Sequence, residues 1–192
     1  MRQALSVLAL LAFSSAHAQW IDKQGNTLAD TNDRKSIGSF GAEIVFTTDA
    51  ESLEERWLTP SESVNVDSVE NVRINEPIYA FVVFSGCKPG VAGKCNASMS
   101  FRVLRPDGKV YANTPSMEVW QDKEPPPNRA LALSVQYLRI RIEPNEQRGR
   151  YTVEVYVRDK NSGKVLALKK RWRGGPLIGA AIVLCSGLSS VC

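Results

Sequence analysis

From Pro60 onward the apolar residues of this chain recur at every second position, and the period persists as far as Trp172. Ile78, Ala80, Val82 and Phe84 make one such run, Ala97, Met99, Phe101 and Val103 a second, and Tyr151, Val153, Val155 and Val157 a third. Successive side chains of a strand point to opposite faces, so this spacing specifies strands with one face buried and one solvated. Helical spacing is confined to one stretch. After an apolar strand from Phe40 to Phe46, the segment with Asp49, Glu51, Glu54 and Glu55 forms two turns that must stop before Pro60. Thr48 and Glu51 have capping-box spacing, and Leu53 and Trp57 would form the packing face. Carboxylates at a helix start complement its dipole, which accounts for the acidic group without catalysis.

The punctuation between runs is that of antiparallel strands. In Pro106-Asp107-Gly108, proline presets the backbone, aspartate bonds to it and glycine accepts the positive φ. Asn161-Ser162-Gly163 makes a hairpin turn into a last strand from Val165 to Trp172, and Pro125, Pro126 and Pro127 can lie only in a connector. Leu131, Leu133, Val135 and Tyr137 share one parity, whereas Leu138, Ile140 and Ile142 share the other. Such a slip exchanges the faces, so the spacing predicts a bulge or break near Tyr137. The expectation is an all-β chain of seven or eight strands with one short helix.

The N-terminus reads as an export signal: Arg2, an apolar run from Ala4 to Phe13, and small residues leading to cleavage after Ala18. The run is far shorter than the roughly 20 residues that span a bilayer. The chain then divides into a signal over 1–18, a flexible polar arm over 19–39, a β domain over 40–173 and an apolar, cysteine-containing tail over 174–192. A periplasmic or secreted location without a transmembrane segment is expected. Four cysteines in an exported chain favour disulfides, and local closure favours Cys87 with Cys95 and Cys185 with Cys192. The tail holds Leu177 to Leu184, all apolar or glycine, which could pack on its own domain, meet a partner or a membrane surface, or stay disordered.

The sole histidine is His17, inside the signal, so imidazole is absent as base, shuttle or metal ligand. The cysteines lack the CxxC spacing of a zinc site, and no metal or other cofactor is expected. Ser85-Gly86-Cys87-Lys88 matches the SxxK nucleophile pattern but stands at a strand end, where that chemistry needs a helix. Charge is unevenly divided: 19–128 carries 11 basic and 16 acidic residues, and 129–192 carries 12 basic and 4 acidic. Either strands of the two halves are neighbours and neutralise one another, or a cationic patch faces an anionic surface. The net charge of +4 is too small to suggest nucleic acid.

Gly149-Arg150-Tyr151-Thr152-Val153 resembles the tyrosine corner of immunoglobulin-like sandwiches, with Leu138 to Ile142 before it as strand E and the hairpin closed at Gly163 after it. The stretch from Phe40 to Trp172 resembles exported bacterial proteins with immunoglobulin-like or fibronectin-like β-sandwiches. That resemblance implies an antiparallel sandwich with Tyr151 as a structural residue, and it implies no activity. Cys87 and Cys95 are too close in sequence to link strands B and F as antibody domains do. The loop between them would hold Lys88 and Lys94 at the rim, where sandwich loops recognise partners. The expectation is a non-catalytic accessory or binding module for an envelope or extracellular protein or other envelope ligand. The alternatives are a glycan-acting enzyme using carboxylates alone, and a periplasmic inhibitor or chaperone-like protein that donates a strand.

Overall fold

A computed structural model of the chain describes residues 20–21, 24–59, 66, 69–126 and 130–175. In chain order its elements are β1 (Trp20–Ile21), β2 (Thr27–Leu28), β3 (Arg34–Ile37), β4 (Phe40–Thr47), helix α1 (Ala50–Leu58), β5 (Asn71–Val72), β6 (Pro77–Ser85) and β7 (Cys95–Leu104). Then come β8 (Val110–Asn113), β9 (Met117–Lys123), β10 (Ala132–Leu133), β11 (Leu138–Arg141), β12 (Gly149–Asp159) and β13 (Val165–Gly174). Residues 1–18, expected as an export signal, Cys185 and Cys192, expected as a second disulfide, and the apolar run from Leu177 lie outside the described residues.

Strands β1 and β2 form a small ribbon. One large sheet runs β3-β4-β6, with β10 and β11 both paired to the remaining side of β6. The other runs β5-β13-β12-β7, with β8 and β9 both on the far side of β7. The β5–β13 pairing is parallel and the others are antiparallel. The two sheets share one core, so this is an immunoglobulin-like sandwich. In it β4, β6 and the β10–β11 pair stand as strands A, B and E, and β7, β12 and β13 as C, F and G.

The alternating residues meet at the centre. Ile78, Ala80, Val82 and Phe84 of one sheet face Met99, Phe101, Val153, Val155 and Leu168 of the other, all buried. On β4 and β6, however, the opposite parity is buried too. Val45, Phe81 and Val83 form a second apolar cluster with Ala50 and Leu53 of α1, and Trp57 packs against it. These two strands are therefore covered on both faces, not half-exposed as their period suggests, because the helix lies across the outside of their sheet. The helix cap also differs from the expected Thr48: the Asp49 side chain accepts the Ser52 N–H at 3.0 Å.

The expected face exchange near Tyr137 does not occur. Pairing to β6 does break between β10 and β11, yet Ala132, Ser134, Leu138, Ile140 and Ile142, all of one parity, turn toward the core. Ser134 is buried because its hydroxyl accepts the Val82 N–H and donates to the Gln136 carbonyl. The odd-numbered apolar residues sit on the outer face: Leu133 and Tyr137 under the helix, Leu131 and Val135 open to solvent. The polar stretch expected as a loose arm contains β3, paired to β4. Just before it, the Asn32 carbonyl accepts the Lys169 N–H at 2.7 Å, and Asp33 holds Lys170 at 3.0 Å.

The tyrosine corner is present. Tyr151 is fully buried, and its hydroxyl donates to the Gln147 carbonyl at 2.5 Å. Its ring stacks on Trp172 at 5.3 Å between centroids, and Trp172 meets Phe46 edge-on at 5.8 Å, so one aromatic column ties strand F to strand G and to the facing sheet. Burial raises the Tyr151 pKa, which keeps the hydroxyl a donor. Gly149, at φ 138°, turns the chain into the corner where an added Cβ would meet the Pro106 ring at 3.0 Å. Tyr151→Phe keeps the ring and loses only the hydroxyl bond. It should lower the urea-derived unfolding free energy by about 0.5–1.5 kcal/mol with an unchanged m-value.

Candidate functional site

The loop between β6 and β7 and the hairpin between β12 and β13 emerge side by side at one end of the sandwich, because Asp159, the last residue of β12, pairs with Ala97 near the start of β7. Cys87 and Cys95 are joined by a disulfide with Cα atoms 6.1 Å apart. Within the closed loop, Gly90 N–H donates to the Lys94 carbonyl and Gly93 N–H to the Gly90 carbonyl, forming a tight turn. Gly86 enters it at φ 66°, where a Cβ would overlap the Ser39 carbonyl at 1.7 Å, so no larger residue fits.

The loop is fastened to the hairpin by two polar side chains. Asp159 is 1% exposed. Its carboxylate accepts N–H bonds from Asn161 and Ser162 and the Ser162 hydroxyl, closing the hairpin, and its Oδ2 reaches across to the Lys88 N–H at 3.0 Å. The Asn161 amide donates to the carbonyls of Lys88 at 2.8 Å and Lys94 at 2.9 Å. On the other flank, Asn96 exchanges two hydrogen bonds with Asp122 at the end of β9. Both strands of the loop are thus held from outside.

The two lysines singled out from the sequence share this loop but differ in state. Lys94 forms an ion pair with Glu124 at 3.5 Å, whereas the Lys88 ammonium has no carboxylate within 4 Å among the described residues. Val91, at the apex, is fully exposed. Ser85 ends β6, so the SxxK spacing is not carried on a helix.

A second feature adjoins the loop and was missed in the sequence. An apolar groove of about 790 Å³ lies between the last turn of α1, the residues after β9 and strand β10. Trp57, Leu58, Trp120, Pro126, Leu131 and Val135 line its apolar part. Leu58 is 84% exposed and Val135 53%. Lys123 and Glu124 belong to the groove wall, and Glu124 is also the partner of Lys94, so groove and loop are continuous. The groove was hidden because Leu131 and Val135 carry the parity of core residues without facing the core. The signal that could have found it is the apolar end of the helix, Trp57-Leu58, which has more apolar surface than one packing face needs.

No family model matches the chain, and no curated protein matches it. Among solved structures, a family 123 glycoside hydrolase from Clostridium perfringens aligns over 72% of this chain and 28% of its own, at 15% identity and a TM-score of 0.43. The chain thus spans little more than a quarter of that enzyme. The CARDB domain of a Pyrococcus furiosus protein aligns over 77% of this chain and 99% of its own, at 12% identity and a TM-score of 0.33. An immunoglobulin-like protein from Pseudomonas aeruginosa aligns over 57% and 81%, at 14% identity and a TM-score of 0.28. The assignment of the fold rests on the strand order and the tyrosine corner of this chain.

Replacing Cys87 and Cys95 together by serine reopens a nine-residue ring in the unfolded chain. The chain-entropy model gives a loss of about 2–3 kcal/mol, measurable by urea denaturation of oxidised wild type against the double variant. Equal stability of the two would show that the bond does not constrain the fold.

Proposed function

We propose that the protein is an exported, non-catalytic binding module that grips a protein ligand of the cell envelope or its surroundings at the disulfide end of the sandwich. The observation that carries this reading is the preorganised loop from Cys87 to Cys95. It is closed covalently and pinned at Lys88 and Lys94 by Asp159 and Asn161, and it presents an apolar apex and a free ammonium to solvent. Holding a loop in one shape before contact lowers the entropy cost of binding. Stability alone does not require Val91 to stand in water.

The adjoining groove supports a polypeptide as ligand. β10 is the edge of its sheet, so an extended segment laid beside it could take up backbone hydrogen bonds while its apolar side chains enter between Trp57 and Trp120. Lys88 at the rim and the Lys94–Glu124 pair would then contribute orientation more than affinity. The disulfide supports an oxidising compartment, in keeping with the export signal read from the first 18 residues.

Photo-crosslinking in the producing cell tests the assignment. A photoreactive residue at position 91 or 131 should give the same discrete protein adduct from both positions. One at Val110, exposed at the opposite end of the sandwich, should give none. Adducts from position 110 alone, or no adduct from positions 91 and 131, would contradict a protein ligand at this end.

A further inference from the structure

The charge asymmetry of the sequence resolves into a specific pattern on the outer face of the second sheet. Some cations of the basic C-terminal part are indeed neutralised by the acidic N-terminal part: Lys160 by Glu118, and Lys170 by Asp33. In the middle of the outer face, Glu154 is bonded by Arg102 and by Lys169. Burial alone would raise its pKa, but Lys169 and Arg102 hold the carboxyl below the usual range, so it stays ionised and satisfied.

The remaining arginines of this face are not balanced. Arg150 is directly opposite Arg173 in the β12–β13 register, and Arg171 is opposite Thr152 one step further along the same face. Arg158 stands at the far end of β12, opposite Val165. Among the described residues no carboxylate lies within 4 Å of any of these four guanidinium groups. Glu70, on the segment before β5, lines a surface hollow together with Arg171 without an ion pair between them. Like charges directly opposite on a sheet are destabilising. A fold that places an exposed Arg150 against a half-buried Arg173 gains nothing from the pair unless an anion bridges it.

We infer that the outer face of β7, β12 and β13 binds an extended acidic polysaccharide, with Arg150, Arg171 and Arg173 holding its carboxylate or sulfate groups. Guanidinium groups suit planar, bidentate recognition of such oxyanions. Between this cluster and Arg158 the face spans eight residues of β12, roughly 27 Å at strand spacing, which is the length of a short oligosaccharide rather than of a single ion. Tyr156, 44% exposed, lies along that path and offers a ring on which a sugar can stack, with Ser100 opposite it as a hydroxyl partner. The disulfide fits an oxidising compartment outside the cytosol. This site is on a different face from the stapled loop and does not depend on the reading given to that loop.

The test is calorimetric titration of the mature chain, residues 19–192, with a hexamer of polygalacturonate at 20 and 200 mM salt. Binding should be present at low salt and at least tenfold weaker at high salt. The triple variant R150Q/R171Q/R173Q should lose at least tenfold in affinity at low salt with a melting temperature no lower than wild type, because it also removes the like-charged cross-strand pair. Y156A should weaken binding at both salt concentrations. Arg150→Glu should abolish binding and raise the melting temperature, because it turns a like-charged cross-strand pair into an opposite one. C87S/C95S should bind the hexamer as wild type does, so a failed loop assignment leaves this result standing. Absence of hexamer binding at low salt, wild-type affinity in the triple variant, or arginine-dependent preference for anionic phospholipid vesicles or single-stranded DNA over the hexamer would each overturn the proposal.

Discussion

One buried carboxylate organises the disulfide end of this protein. Asp159 terminates strand F and closes the hairpin to strand G with three of its bonds, and its fourth fixes the loop between strands B and C through the Lys88 N–H. A polar side chain buried this deeply must have its acceptor sites filled, and here four donors do so. The consequence runs outward. With Lys88 fixed, Asn161 can bond both strands of the loop, the disulfide closes without pulling on a mobile connector, and Lys94 is placed to meet Glu124 at the groove.

Much of the fold was legible because it depends on local rules. The alternation along β7 and β12, the turn at Pro106-Asp107-Gly108 and the Gly149–Tyr151 corner each declare themselves within a few residues, and the structure has all of them. The parts that were not legible depend on what lies across space. Phe81 and Val83 are buried because α1 and Tyr137 cover their face, and Leu131 and Val135 are exposed because Ala132 and Ser134 take the core positions beside β6. A serine as a core-facing residue inverts the parity that apolar residues suggest, and its hydroxyl is satisfied by Val82 and Gln136, which no periodicity reveals.

The candidate site divides the same way. Cys87, Cys95, Lys88 and Lys94 stand out in the sequence as a stapled loop. Asp159 does not stand out there, since its partner Lys88 is 71 positions away. The unequal state of the two lysines likewise depends on Glu124, brought alongside by the pairing of Lys123 with Cys95. Local consistency gives way at the exposed apex Val91, the open groove and the facing Arg150 and Arg173. In each place the sequence departs from what stability alone favours.

Amide hydrogen exchange of the isolated wild-type protein reads directly whether the disulfide end is ordered in the free state. The amides of Lys88, Gly90 and Gly93 should be protected in the free protein, and Asp159→Asn should strip that protection while Val153 and Val155 in the core stay protected. An asparagine side chain cannot accept all four donors, so the loop should loosen while the sandwich persists. Exchange of those three amides at unprotected rates in the wild type would contradict the account.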